Sequence, residues 1–193
     1  MSHTFTKIAL LSSLLLSPAL SFADNYIIDT KGAHASVNFK IQHLGYSWLK
    51  GGFNQFSGEF SYDEKNPSAA SVSVVIETNS VDSNHAERDK RLRSDDFLDV
   101  KKYPKATFKS TSFSEKGDGS AVLKGNFTLH GVTKPIEIAV THVGHGADPW
   151  GGQRRGFEGT TQIALEDYGI MKNLGPKSKI VTLSLSLEGV KKR

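Results

Sequence analysis

Few residues in this 193-residue chain combine types and spacing that suit chemistry. His142 and His145 form an H-x-x-H motif, but positions three apart on a β-strand face opposite sides, so the pair would converge only if the strand ended between them. The acidic pairs 95–96 and 166–167 are adjacent residues that do not converge on one bond. The sequence contains no cysteine, no G-x-S-x-G and no H-E-x-x-H motif. It therefore predicts a non-enzymatic protein without a metal site.

The first 23 residues have the order of a secretory signal peptide. Lys7 precedes an almost unbroken apolar run over residues 8–16, and small residues precede a cut after Ala23. The run is too short for a membrane anchor, which needs about 20 residues. We therefore expect an exported chain with one domain over residues 24–193 and no integral membrane segment. The 24 basic and 20 acidic residues of the full sequence are scattered, which argues against a nucleic-acid partner.

The mature chain alternates apolar and polar residues over short segments. This period of two occurs at 37–42, 72–77, 121–129, 136–141 and 181–188, and further strands are predicted at 26–29, 53–62, 106–113 and 157–165. Turn residues separate them at 66–67, 116–119, 144–152 and 173–176. Because alternation places every second side chain on one face, each strand has one apolar side. The sequence predicts eight to nine antiparallel strands.

One segment, residues 84–93, lacks this alternation and is rich in helix formers. Asn84 and Glu87 have the spacing of a capping pair. The sequence predicts a short surface helix here, anchored by Leu92 and Phe97.

Strands with one apolar face close into a barrel or stack as a sandwich. The aromatic parity slips between Phe53 and Phe56, which predicts a bulge or bend of the kind found where a sheet curls into a barrel. An eight-stranded barrel has an interior that side chains just fill or that holds one small ligand, and the pattern alone does not choose between these. It also leaves open an outer-membrane barrel, whose apolar face points to lipid.

A series of motifs in a fixed order runs through almost the whole mature chain. They are H-A-S-V-N-F at 34–39, H-L-G at 43–45, G-F at 52–53, F-S-G at 56–58, S-V-D at 80–82, R-D at 88–89, L-R at 92–93, D-F at 96–97, Y-P at 103–104, F-K-S at 108–110 and G-N-F-T-L-H-G-V-T-K-P at 125–135. Together they resemble the YceI-like family of bacterial periplasmic, lipocalin-like proteins that bind polyisoprenoids. Ala35 and Leu98 depart from the family's usual Ser and Phe, which affects the choice of ligand more than the fold.

The resemblance implies an all-β fold, an eight-stranded antiparallel lipocalin-like barrel with a short helix and an elongated apolar pore. It further implies a periplasmic location and a long-chain isoprenoid guest, such as a polyprenyl or quinone-like lipid, with no cofactor, metal or catalytic residue. Fatty-acyl amphiphiles are further possible partners, and a homodimer is compatible with the family.

The apolar faces supply candidate ligand-binding residues, each of which could equally be ordinary core. They are Val37, Phe39, Ile41, Phe56, Phe60, Val74, Ile76, Phe97, Phe108, Phe127, Leu129, Ile138, Ile163, Leu183 and Leu185. A headgroup would need polar contacts, for which the candidates are His34, His43, Tyr46 and Arg88. Two other functions remain open: a cavity-free β-sandwich or barrel that acts as an interaction domain of the envelope, and a hydrolase or isomerase acting on such lipids.

Overall fold

The computed structural model describes residues 23–172 and 174–193, so the predicted signal peptide lies outside the described residues except for Ala23. The strands are β1 (Asp24–Ile28), β2 (Ser36–His43), β3 (Ser47–Phe53), β4 (Phe56–Tyr62), β5 (Ser71–Glu77), β6 (Val81–Asp82), β7 (Lys105–Glu115), β8 (Ser120–Leu129), β9 (Val132–Ala147), β10 (Gln153–Ala164) and β11 (Ile180–Lys191), with one helix, α1 (Ala86–Leu92). No helix in the described ranges is long and apolar enough to cross a membrane.

The strands form a closed antiparallel barrel with eight positions. The ring runs β1-β4-β5-β7-β8-β9-β10-β11 and returns to β1. The three remaining strands lengthen it on one side, because β11 pairs with β2 through Val181–Ser186 and with β1 through Gly189–Lys191. Beyond β2, the order continues through β3 to β6. The predicted eight-stranded barrel with a short helix is therefore confirmed.

The predicted strand over residues 53–62 is interrupted where its aromatic parity slips. β3 ends at Phe53 and β4 begins at Phe56. The two residues between them leave the ladder, since Asn54 N donates to Ser80 O at 3.1 Å and Gln55 N to Ser80 Oγ at 3.0 Å. The predicted bend is confirmed, and the alternation of inward and outward side chains resumes in β4.

The pairing is interrupted at one end of the barrel. The β9–β10 ladder stops at Ala139 and Thr160, whereas β10 continues alongside β11 as far as the Ala164–Ile180 pair. Within the described residues, β6 pairs with β3 and with no other strand. We call this end the mouth; it also carries the turn at residues 44–46, α1, and the loop over 165–179. The opposite end, where β1 joins β11, is called the closed end.

An aromatic plug fills the closed end. It consists of Tyr26, Phe60, Tyr62, Phe113 and Phe157. Tyr26 and Phe60 stack with ring centres 4.8 Å apart, and Phe157 meets the Phe60 ring edge-on at 5.7 Å. Tyr62 contacts the rings of Phe113 and Phe157 at 6.2 and 5.7 Å. Offset and edge-to-face contacts of this kind are favourable beyond the apolar area that they bury.

The expected divergence of His142 and His145 is wrong. Both lie within β9, but the β9–β10 register shifts there: Phe157 pairs with His142 and Gly156 with Gly144, so Val143 is left as the extra residue of a β-bulge. The two imidazole rings consequently stack on one side of the strand, with centres 5.3 Å apart.

The predicted capping pair of the helix is also wrong. Asn84 has a positive φ of 61° and lies outside the cap. The cap residue is His85, whose Nδ1 accepts a hydrogen bond from Arg88 N at 3.2 Å. The helix itself lies within the predicted segment, and the predicted anchor Phe97 is buried.

Candidate ligand-binding cavity

An elongated cavity of about 820 Å³ lies inside the barrel, between the aromatic plug and the mouth. Its lining includes residues of β11 from Val181 to Leu187. Six residues of strand correspond to about 20 Å along the chain. The volume lies within the usual range of small-molecule sites, about 300–1,000 Å³.

Most of the predicted wall residues contact this cavity. Those that do are Val37, Phe39, Ile41, Val74, Ile76, Phe97, Phe108, Phe127, Leu129, Ile138, Ile163, Leu183 and Leu185. Phe56 and Phe60 do not line it. Phe60 belongs to the plug, and Phe56 packs against the core at the start of β4. Strand alternation predicts which side chains point into the barrel, but it does not predict how far along the barrel axis each of them lies.

Two of the lining phenylalanines lie along the barrel wall because glycines leave room for their rings. A Cβ at Gly51 would lie 2.5 Å from Phe39 Cζ, and one at Gly125 would lie 2.4 Å from Phe108 Cζ. Both distances are too short for any side chain other than hydrogen. Each ring therefore covers a glycine on the neighbouring strand, and the interior beside it remains open.

The mouth is where the cavity reaches the surface. His43 and Leu44 line the cavity and are themselves exposed. The loop over 165–179 is held beside them, since Ser178 Oγ donates to Gln42 O at 2.6 Å and Leu44 N donates to Ser178 Oγ at 3.4 Å. From this loop, Leu174 also lines the cavity.

Polar contacts attach α1 to the chain at the mouth. Asp89 Oδ1 accepts a hydrogen bond from Ser83 N at 2.9 Å, and Arg88 Nη2 donates to Ser83 O at 2.6 Å. Although burial opposes it, the hydrogen bonds from Ser83 lower the pKa of the Asp89 carboxyl. Arg93 donates to Asn79 O and Val81 O at 2.8 and 2.7 Å, which satisfies carbonyls beside the unpaired edge of β6.

These contacts explain the helix motif noted in the sequence. The charged residues Arg88, Asp89 and Arg93 hold the helix, and Leu92 contributes to the cavity wall. Arg88, which the sequence offered as a headgroup contact, lines the cavity, although two of its donor groups, Nε and Nη2, are already bonded to Ser83.

A smaller pocket of about 440 Å³ adjoins the mouth. It shares His43, Leu49 and Arg88 with the main cavity and adds polar groups from Ser47, Lys50 and Asn84, among others. Tyr46, the other predicted headgroup contact near this end, projects into solvent with 88% of its surface exposed. It lines neither pocket.

His34 is misplaced by the prediction, because it lies at the closed end. Its Nδ1 is 3.2 Å from Asp29 Oδ2 and 3.8 Å from Glu188 Oε1. These three residues offer ligand atoms within 4.8 Å of one another. Arg154, however, donates to Asp29 Oδ2 at 2.7 Å and to Glu188 Oε1 at 2.5 Å, so it already neutralises both carboxylates. The arrangement is an ion-pair network rather than a vacant cation site.

A buried charge also borders the plug. Arg155 lies over the Tyr62 ring at 4.4 Å, bonds to Glu64, and approaches His142 Nε2 at 3.4 Å. Burial, together with the charge of Arg155, lowers the pKa of His142. Burial and a hydrogen bond to Glu115 raise the pKa of Tyr62 to about 12. These polar groups lie outside the apolar cavity.

Several wall residues were not predicted from the sequence. From loops and irregular segments come Leu44, Leu165, Ile170 and Leu174, and from strands Leu49, Leu123 and Val181. The strand residues carried a signal, since Leu123 and Val181 belong to alternating segments. The loop residues carried none, because no period indicates which loop folds over a barrel mouth.

Comparisons with known proteins agree with this architecture. The YceI-like domain family matches residues 26–189. A UPF0312 protein of Shewanella sp. strain MR-7 is 58% identical over 184 residues, which covers 95% of this chain and 96% of that protein.

Solved structures show the same barrel. BcnA of Burkholderia cenocepacia has a TM-score of 0.75 at 21% identity, covering 83% of this chain and 98% of that one. The Campylobacter jejuni YCEI protein has a TM-score of 0.71 at 27% identity, covering 79% and 91%. A polyisoprenoid-binding domain from Saccharophagus degradans has a TM-score of 0.63 at 18% identity, covering 86% and 98%.

Proposed function

This chain belongs to the YceI-like family, and we propose that it is a non-enzymatic periplasmic carrier of a long-chain isoprenoid lipid, either a polyprenyl or a quinone-like amphiphile. The tail occupies the barrel cavity, and the headgroup lies at the mouth. The single observation that carries this proposal is the elongated cavity, whose wall is almost entirely aliphatic and aromatic and which is closed at one end.

The energetics favour a long apolar tail. Burial in such a cavity stabilises a hydrocarbon by about 0.8 kcal/mol for each CH₂. Four isoprene units, with five carbons each, would therefore contribute about 16 kcal/mol before costs. Association costs an estimated 4–15 kcal/mol. A guest of this length offsets that cost without needing many polar contacts.

The smaller pocket beside the mouth is suited to the headgroup. His43, Lys50 and Arg88 supply hydrogen-bond donors there, and His43 and Arg88 also border the tail cavity. Donors of this kind suit a phosphate or a carbonyl oxygen. A headgroup in this pocket stays in contact with water while its tail is buried.

The polar groups of the cavity itself support binding rather than catalysis. The Thr161 hydroxyl donates to Glu137 O at 2.7 Å, and the Ser178 hydroxyl donates to Gln42 O at 2.6 Å. Both hydroxyls are thus engaged with backbone carbonyls, and neither is paired with a general base. The S. degradans domain, which binds polyisoprenoids, has the same fold, so this fold is compatible with such a guest.

Native mass spectrometry of protein extracted gently from the periplasm tests the proposal. We expect a bound isoprenoid mass, and uptake of a polyprenyl or quinone lipid by delipidated protein. A bare polypeptide that takes up neither lipid would overturn the carrier function and favour the interaction domain. Chemical turnover of the guest during incubation would favour the hydrolase or isomerase.

A pair of variants on β8 tests whether lipid uptake depends on the interior of the barrel. Phe127→Asp places an unpaired carboxylate in the cavity wall at a buried position, and we expect it to abolish uptake at a cost of several kcal/mol in stability. Lys124→Ala on the same strand removes only the outer ion pair with Glu137 and should leave uptake unchanged. If the two results were reversed, the assignment of strand faces would be wrong.

A further inference from the structure

Five of the eight large apolar side chains that are exposed in the described part of the chain lie around the mouth, whereas Ile27, Val143 and Trp150 lie toward the closed end. Leu44, Trp48 and Ile180 are 54%, 51% and 45% exposed, and Tyr46 and Met171 are 88% and 73% exposed. We call these five residues the apolar rim. Exposed apolar residues grouped on one face mark an interaction site more often than scattered ones do.

The rim residues come from neighbouring segments. Residues 44–46 form the turn between β2 and β3, and a Cβ at Gly45 would lie 3.3 Å from Lys177 Cγ. A Cβ at Gly175 would likewise lie 3.6 Å from Leu44 Cδ2. Trp48 pairs with Gln42 on β2, and Ile180 begins the strand on the other side of β2. The turn, the loop and the outer wall therefore form one surface.

The same end of the barrel carries a positive charge excess. Residues 43–50, 83–105, 129–134 and 165–180 contain twelve Lys or Arg and seven Asp or Glu. At the closed end, residues 23–35, 59–70, 113–121, 141–158 and 186–193 contain eight basic and ten acidic residues. The protein therefore has a charge dipole whose positive end surrounds the cavity opening.

Several of the cations lie next to the rim. Lys40 Nζ lies 4.9 Å from the centre of the Trp48 ring, and Lys177 lies beside the turn at Gly45. Lys50 and Lys177 take part in no ion pair with the described residues. Trp and Tyr favour the headgroup region of a bilayer, and lysines nearby are attracted to anionic lipids.

We propose that the apolar rim and its lysines form a docking surface for a bilayer containing anionic phospholipid, with the cavity mouth facing the membrane. This inference rests on the proposed function, because it names the surface through which the same cavity is loaded and emptied. A guest could then pass between bilayer and barrel with little exposure of its tail to water.

Vesicle co-sedimentation tests the docking surface directly. Delipidated protein is mixed with vesicles of equimolar phosphatidylcholine and phosphatidylglycerol, or of phosphatidylcholine alone. We expect binding to the anionic vesicles that weakens with added salt. The double variant Lys40→Gln/Lys177→Gln should bind about 25-fold more weakly, since each lost cation costs about fivefold. The matched control at the closed end, Lys65→Gln/Lys116→Gln, should change binding less than about twofold.

Tryptophan fluorescence tests which end of the barrel faces the membrane. The two tryptophans lie at opposite ends, so Trp150→Phe leaves Trp48 as the reporter at the mouth and Trp48→Phe leaves Trp150 at the closed end. We expect a blue shift with anionic vesicles for the Trp48 reporter only. A shift of Trp150, equal loss in both lysine pairs, equal binding to neutral vesicles, or burial of Trp48 in a dimer without vesicles would overturn the proposal.

A separate assay distinguishes this proposal from the carrier function. Lipid presented as a cyclodextrin complex loads the cavity without a membrane. Uptake from cyclodextrin without vesicle binding overturns the docking surface and leaves the carrier function intact. Failure of uptake overturns the carrier function, and with it the role assigned to the surface.

Discussion

The closed end and the mouth of this barrel share most of their strands but differ in how far side chains fill the interior. At the closed end the inward side chains include aromatic rings that contact one another across the interior, as Tyr26, Phe60 and Phe157 do. Toward the mouth they are mainly aliphatic, and the lining rings of Phe39 and Phe108 lie along the wall over glycines. The comparison shows that side-chain size and contacts between rings, rather than the strand framework, decide where the interior is filled.

The largest expected contrast is in stability. Phe60→Ala removes a ring from the centre of the plug and should lower the free energy of unfolding by about 3–5 kcal/mol. Leu183→Ala, in the cavity wall, should cost less than about 2 kcal/mol, because Leu183 already faces open space on one side. Urea unfolding of both variants measures the difference. Equal losses would mean that the two halves are packed alike.

A second variant adds a large side chain to the cavity instead of removing one from the plug. Leu183→Trp fills part of the open interior, and we expect it to weaken uptake of a long-chain lipid by about tenfold or more, since losing two buried CH₂ groups costs about 1.6 kcal/mol. Stability should change by less than about 1.5 kcal/mol, because the added ring occupies existing space. Titration with a polyprenyl lipid reports the first effect and urea unfolding the second. Unchanged affinity would show that the guest does not reach this height.

The smallest expected effect concerns the ion pairs of the closed end. The hydrogen bond from Arg154 is the main reason that the pKa of Asp29 is lowered from 3.8 to about 2. The folded state thus favours the charged carboxylate, and its contribution to stability is present above the ordinary pKa and lost as the pH falls through about 2. Asp29→Asn should therefore show a shallower loss of stability than the wild type between about pH 4 and pH 2. Identical slopes would contradict the role of this pair, whereas lipid uptake at neutral pH should be the same in both proteins.

Regular parts of the sequence predicted both the fold and much of the wall. Alternation correctly placed Val74, Ile138 and Leu183 inside the barrel, because a strand has only two faces and one of them must be buried. It wrongly placed His142 and His145 on opposite faces of the strand. The bulge at Val143 inserts one residue, so every side chain beyond the bulge changes face.

Other features depend on tertiary contacts that no local pattern encodes. The sequence could not distinguish Phe56 and Phe60 from cavity residues. The position of a side chain along the barrel axis depends on the register of strand pairing and on how the sheet closes. Ile170 and Leu174 line the cavity only because the loop over 165–179 folds beside the mouth. His85 rather than Asn84 caps the helix, because Asn84 adopts a left-handed conformation after β6.

The interrupted ladders at the mouth bear on the rate at which a guest can exchange. β9 and β10 separate beyond Ala139 and Thr160, and the outer edge of β6 is bonded to the Arg93 side chain instead of to a strand. Widening the barrel at these two seams breaks no backbone ladder hydrogen bond, only the side-chain hydrogen bonds from Thr161 to Glu137 O and from Arg93 to Val81 O. We therefore expect a guest to enter and leave through rearrangement of side chains at the mouth, while the packed closed end stays intact.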